Sequence, residues 1–357
     1  YAALKTEDAH GRNTAVGYEA LEMLNAGADG ENVAVGYRAG EELTEGIQNT
    51  LIGTQAGDSL THADYNVAIG RNALTTDTQG HKSVAVGNAA LASQNFTSST
   101  DSNNTAVGYD AGGYVSTGTS NTLIGANAGA AITTGNNNTI LGKGAGDAMQ
   151  TGDSNTFLGV NAGGAGAASK GNNNVFIGNS AGNNCHGTNN LLLGNDAGVT
   201  GSPGGNFVAT NNGLVLGDEN IDQFNCQVSL SVASDQRDKT DFSDLDIGLD
   251  FVNNLKPVTY KWDKRSKYGD KKADDYDLNA QTPDGTHKEP QLDIGFKAQE
   301  VEALEKAAGY KVEDKTNLTI SLTEDGKQYG MKYEKFVPIL VKAIQELSAE
   351  VKALKGE

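Results

Sequence analysis

Apolar residues come in short runs at a fixed phase along the first 217 residues. The phrase Asn-Thr-Ala-Val-Gly at Asn13–Gly17 returns as Asn-Val-Ala-Val-Gly at Asn32–Gly36, and as Asn-Thr-Leu-Ile-Gly at Asn49–Gly53 and Asn121–Gly125. Further copies close on Gly70, Gly87, Gly108, Gly142, Gly159, Gly178 and Gly194, and a divergent one on Gly217. Successive closing glycines are 19, 17, 17, 17, 21, 17, 17, 17, 19, 16 and 23 residues apart. Three residues of Val, Ile, Leu, Ala or Thr between Asn and Gly are a short strand, with Asn and Gly as corners. A period near 17 is too short for a helical repeat and predicts a β-solenoid or β-roll.

In most repeats a small pair follows the phrase, as at Ala56-Gly57 and Ala128-Gly129, where neighbouring backbones are expected to approach closely. Departures from the period fall in the polar stretches Gly80–Ser83 and Phe96–Asn103, which read as surface insertions. One coil offers only two or three apolar residues for burial. Three chains around one axis would share a core, so a trimer is expected.

The pattern changes after residue 233. Asp244–Leu255 reads as a short helix and Pro257–Trp262 alternates like a strand. A polar excursion follows at Tyr268–Pro290, long enough to suggest a functional loop. A helix is expected over Ala298–Ala307, and Thr319–Leu322 and Gln328–Lys332 are candidate paired strands. In the last helix Val337, Leu340, Ile344, Leu347, Val351 and Leu354 are spaced 3, 4, 3, 4, 3, a heptad seam that favours a coiled coil. Pro338 fits only near the start of that helix. The expected organisation is a repeat shaft over 1–217, a connector over 218–233 and a small α+β domain over 234–357.

Composition sharpens the division. Of the 46 glycines, 38 lie before residue 234. That part carries 20 acidic and 7 basic residues, against 25 and 20 in the rest, for a formal total of −18. Neither part has the surplus of Lys and Arg that phosphate binding needs, so no nucleic-acid partner is expected. No run of 18 apolar residues is present, so no membrane insertion is expected either. Cys185 and Cys226 are too few for a disulfide framework or a four-ligand zinc site, and both read as small buried thiols. His10, His62, His81, His186 and His287 form no metal-binding pair by spacing, and no metal or cofactor is expected. Gly142-Lys143-Gly144-Ala145-Gly146 matches no phosphate-loop pattern and reads as a repeat corner. The loop carboxylates Asp101, Asp110, Asp147 and Asp153 single out no glycosidase pair. The chain opens on Tyr1 inside the pattern and without Met, as expected of a fragment or processed product.

The composition boundary falls at Ser234-Asp235-Gln236-Arg237-Asp238-Lys239. On a continuous helix, residues five apart differ by about 140° and do not face one another. A working pair of Ser234 and Lys239 therefore requires a turn between them.

The repeats over about 11–217 resemble the head repeats of YadA-type trimeric adhesins and, more closely, the shafts of phage tail fibres. The tail resembles the intramolecular chaperone of phage tailspikes, the peptidase S74 family found in endosialidases. This second resemblance is carried in order by Ser234–Lys239, Leu255–Trp262, Ile294–Val301 and Tyr333–Leu347. It implies self-cleavage between Ala233 and Ser234, with Ser234 as nucleophile, Lys239 as general base, and Asp235 and Arg237 in supporting positions. It also implies a homotrimer whose tail, made in the host cytoplasm, is released on maturation. The shaft would then serve on a virion tail fibre, contacting other tail proteins through an upstream region and a glycan or protein receptor on the host surface. A capsule depolymerase with the same tail and a cellular trimeric adhesin are the alternatives.

Overall fold

The computed structural model describes residues 1–357 except 8–10, 28, 165–170, 204, 230, 272, 274 and 357. His10 lies outside the described residues, as do Lys272 and Asp274 of the polar excursion. Two compact units are present, Tyr1–Asp218 and Glu219–Glu357.

The first unit is a β-solenoid. Each phrase supplies one three-residue strand, from Thr14–Val16 to Leu214–Leu216, and twelve of them stack into one parallel sheet. Register is the same at every step, as in Thr50↔Val67, Leu51↔Ala68 and Ile52↔Ile69. A second ladder joins the Ala-Gly pairs: Gly40 N–H donates to Ala56 O, Gly57 to Ala73 and Gly129 to Ala145. Stacking thus satisfies backbone groups that a lone 17-residue coil would leave open.

The core differs in detail from expectation. Only the middle residue of each strand points inward, and it is often Ala, as at Ala34, Ala68, Ala85 and Ala106. A second set of buried side chains (Leu43, Leu60, Leu91, Ile132, Met149) comes from the far side of the coil. The shortage of apolar residues is therefore met inside one chain, by a narrow coil filled with Ala and Leu. Where the middle residue is large, neighbours match it. Phe157 and Phe176 stack at 4.8 Å with their planes 1° apart.

Within the phrase, neighbouring backbones approach closely at the closing glycine rather than at the Ala-Gly pair. Gly142 has φ +142°, and a Cβ there would lie 2.2 Å from Gly159 O. The glycine of the Ala-Gly pair is left-handed and opens room for side chains. A Cβ on Gly57 would lie 2.8 Å from Leu60 Cδ1 and 2.9 Å from Leu51 Cδ2.

From Asn32 to Asn190 the asparagines that open the phrases are buried, contrary to their reading as corners. Asn121 shows the pattern. Its N–H and Nδ2 donate to Asn104 Oδ1, at 2.9 and 3.2 Å. Nδ2 also donates to Gly135 O at 2.8 Å, and Oδ1 accepts from Asn138 N at 3.0 Å. Repetition builds a hydrogen-bonded asparagine ladder along the core from Asn104 to Asn190. A similar run joins Asn13 to Asn66. Asn121→Leu would leave Gly135 O and Asn138 N without these partners. The expected loss is about 3 kcal/mol, read as a lower denaturant midpoint; a change below about 0.5 kcal/mol, the range of ordinary surface substitutions, would make the ladder energetically idle.

The two runs meet at the stretches expected to be surface insertions, which are so only in part: Lys82, Thr97, Ser98, Ser99, Asp101 and Asn103 are exposed, while the residues between them turn inward. Gly80–His81 and Thr100–Asp101 pair as short parallel strands, and His81, Ser83, Phe96 and Ser102 are buried. Ser83 replaces the ladder asparagine, and Ser83 Oγ lies 2.5 Å from Ser102 Oγ. Gln94 bridges the gap: Nε2 donates to Ser83 Oγ at 2.8 Å and to Asp77 Oδ2 at 2.6 Å, while Oε1 accepts from Asn104 Nδ2. His81 Nδ1 accepts from Asp64 N at 2.9 Å, so this histidine is structural.

The second unit is a small mixed domain. Its core is Ile247, Phe251, Val301, Ile320, Phe336 and Ile339. Three helices frame it: α1 (Leu249–Asn254), α2 (Ala298–Ala307) and α3 (Phe336–Lys355). Val258–Tyr260 pairs antiparallel with Asp293–Gly295, and Ile320–Leu322 with Tyr329–Met331. The helix expected over Asp244–Leu255 is shorter at its start. Leu245 and Ile247 still pack on the core, but from an irregular segment that ends at Gly248, the N-cap of α1. Glu346 on α3 accepts from Leu249 N at 2.7 Å and fixes that end.

Candidate active site

From Ile221 to Ser243 the described chain contains no strand, and its one helical element is a single turn of 3-10 helix at Gln236–Asp238. Asp235 starts that turn. It is extended (φ −64°, ψ 132°), and its side chain accepts from Arg237 N at 2.9 Å, as a helix N-cap does. The Arg237 guanidinium closes on the same carboxylate, with Nη2 2.6 Å from Oδ2 and Nε 3.1 Å from Oδ1. These bonds hold the Asp235 carboxyl below its usual range and raise Arg237. Asp235 and Arg237 therefore shape the turn and leave the next residues to meet across it.

What meets is Ser234 and Lys239. Lys239 N–H closes the turn on Gln236 O at 3.2 Å. Its side chain then folds back, and Nζ lies 2.6 Å from Ser234 Oγ and 3.4 Å from Ser234 O. One tight turn between extended flanks brings together two residues that a helix would hold apart. A protonated amine donates in this contact; a neutral one accepts the hydroxyl proton, the direction a general base needs. The peptide Ala233–Ser234 and the rest of the hexapeptide are exposed.

The other residues marked from sequence do not join this group. The seam residues Val337, Leu340, Ile344, Leu347, Val351 and Leu354 are all exposed on α3, Ile344 by 66% and Leu354 by 88%. The helix packs on its own domain through a different stripe, Phe336, Ile339 and Ala343. Pro338 sits in its first turn, as required. Cys185 is buried, but Cys226 is exposed, against expectation. Its described neighbours from Ile221 to Ser229 are exposed as well, so no core is at hand. Among the described residues Glu19, Glu22 and Glu41 bring carboxylate oxygens within 4.8 Å of one another. They already have cationic partners, since Arg38 bridges Glu19 and Glu41 and Lys5 pairs with Glu22.

Sequence reasoning missed Asp293. Tyr260 Oη and Trp262 Nε1 both lie 3.3 Å from its Oδ2, tying together the strands that begin and end the polar excursion. Burial, and then the Asp293 charge, push the Tyr260 hydroxyl up to about 12. No motif marks Asp293; only the strand register, Tyr260↔Asp293, places it.

No curated protein and no solved structure matches the chain. A family model does match part of it. Residues 234–310, which start on Ser234 and run through α1, the Val258–Gly295 strand pair and α2, match the model of Peptidase S74, the chaperone of endosialidase.

Proposed function

We propose that the chain is a tail-fibre shaft of a phage virion, folded as a homotrimer by its own tail and then cut free of it between Ala233 and Ser234. The observation that carries this reading is the 2.6 Å contact of Lys239 Nζ with Ser234 Oγ, at the first residue of the segment that matches an endosialidase chaperone.

The chemistry balances with water as the only co-reactant. Neutral Lys239 takes the Ser234 hydroxyl proton as Oγ attacks the Ala233 carbonyl carbon. The tetrahedral intermediate collapses by breaking the Ala233–Ser234 C–N bond, and the proton passes to the Ser234 nitrogen. The result is an ester between the Ala233 acyl group and Ser234 Oγ. Water hydrolyses it to the Ala233 carboxylate and the free Ser234 hydroxyl. An amine acts as a base only when unprotonated, and burial is what favours that form. Neighbouring copies covering the exposed hexapeptide would supply burial, so that cutting follows assembly.

Two exposed apolar stripes support the trimer. One is the α3 seam. The other is the outer face of the solenoid sheet, where the third residue of every strand is aliphatic (Val16, Ile52, Ile124, Leu158, Ile177, Leu216). Twelve strands spaced about 4.8 Å apart make this a ribbon about 50 Å long, with only Thr, Val, Ile or Leu at the first and third positions. Monomers seldom expose so long an apolar face. The assembled acidic shaft would then present its loops to a glycan or protein receptor on the host surface.

Measuring the intact mass and the sedimentation of the purified full chain tests this directly. Two fragments meeting at Ala233 and Ser234, with the shaft sedimenting as a trimer, are expected. A single uncut monomer would overturn the reading.

A further inference from the structure

Glu219 lies on the shaft side of the proposed cut, within the C-terminal unit. It is 8% exposed. Its Oε1 pairs with Lys271 Nζ, and its backbone O accepts from Lys264 Nζ at 2.8 Å. Its Oε2 is buried with no hydrogen-bond partner among the described residues. Lys264 Nζ also lies 3.1 Å from Glu289 Oε1, which Lys267 approaches at 3.8 Å. The side chains of Lys264, Lys271 and Glu289 are each about three-quarters buried. Every partner of Glu219 in this cluster comes from beyond Ser234, and Lys271 and Glu289 belong to the polar excursion.

We propose that this cluster is a clasp. Once the peptide is cut, Glu219 stays with the shaft while Lys264 and Lys271 leave with the tail, and their contacts hold the two products together. Cutting and release are then separate steps, and the polar excursion has a ligand, the carboxylate and carbonyl of the connector's own Glu219. Partly buried ion pairs are screened less than surface pairs, so the clasp outlasts the peptide at ordinary ionic strength. Breaking it leaves Glu219 needing water for a carboxylate it had buried.

The clasp rests on the proposed cut, but its test does not. In the full chain carrying Ser234→Ala, the recognition sequence of a specific protease is placed between Val232 and Ala233, and cutting is done from outside. The tail's dissociation from the immobilised shaft is then timed. The tail is expected to remain bound in dilute buffer and to leave faster in about 1 M salt, where the Debye length is about 3 Å. Glu219→Gln and Lys271→Glu should each speed release at least tenfold. The exchange of both charges, Glu219→Lys with Lys271→Glu, should restore retention, which a folding defect would not do. Release of Glu219→Gln at the parent rate, or a double variant no slower than the singles, would overturn the clasp. Failure of the unmodified chain to cut itself would overturn the self-cleavage reading and leave this outcome standing.

Discussion

Ser234→Ala is expected to give one full-length species where the parent chain gives two, with cutting slowed at least a thousandfold. Removing the nucleophile of a serine hydrolase costs about that or more. The variant should fold and assemble as the parent does, because the Ser234 side chain is exposed and its hydrogen bond is to Lys239. A denaturing gel run beside sedimentation of the native protein separates the two effects. Lys239→Arg completes the test. It keeps the positive charge, but a guanidinium does not give up its proton in proteins, so cutting should stop as well. Continued cutting of Lys239→Arg would reduce Lys239 to a positioning charge. Continued cutting of Ser234→Ala at Ala233 would remove the dyad altogether.

Gly142→Ala is expected to cost the shaft about 3–5 kcal/mol, a loss that only a few named mechanisms reach. Two of them act together. The residue sits at φ +142°, a backbone region kept essentially for glycine. Its new Cβ would also lie 2.2 Å from Gly159 O, and neither backbone can yield without breaking the parallel register on both sides. Gly27→Ala is the control. Gly27 is also at positive φ (+63°), but nothing lies within 4 Å of its Cβ position, so about 1 kcal/mol of strain is expected. Comparing denaturant midpoints of the two variants tests whether the closing glycine is required beyond the cost of an ordinary left-handed residue. Equal losses would mean that it is not.

These two sites differ in how far sequence reveals them. The closing glycines, the strands and the coil are legible, because a three-residue apolar run at a fixed phase of about 17 suits a stacked coil and little else. So are α2, whose expected bounds at Ala298–Ala307 are those of the helix itself, and the need for a turn between Ser234 and Lys239. The buried asparagines are not. Asn favours corners in isolation, and its burial becomes tolerable only when an identical residue stacks above and below. Gln94 and Asp77 are hidden for a related reason. An insertion rich in polar residues resembles a surface loop until their partners are seen to be one another. Ahead of the composition boundary, Glu219 carries no motif, and its partner Lys271 is 52 residues away in sequence. The pattern also starts α1 too early, because Leu245 and Ile247 do bury their side chains and helical spacing accounts for that burial as well as an irregular segment does.

The splice at Ser83, Gln94 and Asp77 has a consequence for how the shaft finds its order. Most coils are interchangeable, since each offers an asparagine, a small or aliphatic middle residue and a closing glycine at the same points. A chain that began stacking one coil out of place would meet little resistance along most of its length. At the splice it would. An asparagine set against Ser83 leaves Gln94 with nothing to bridge, and Asp77 then keeps a buried carboxylate without its 2.6 Å amide donor. The irregular coil works as an index mark on an otherwise uniform scale, allowing a repetitive polymer to tell one position from the next.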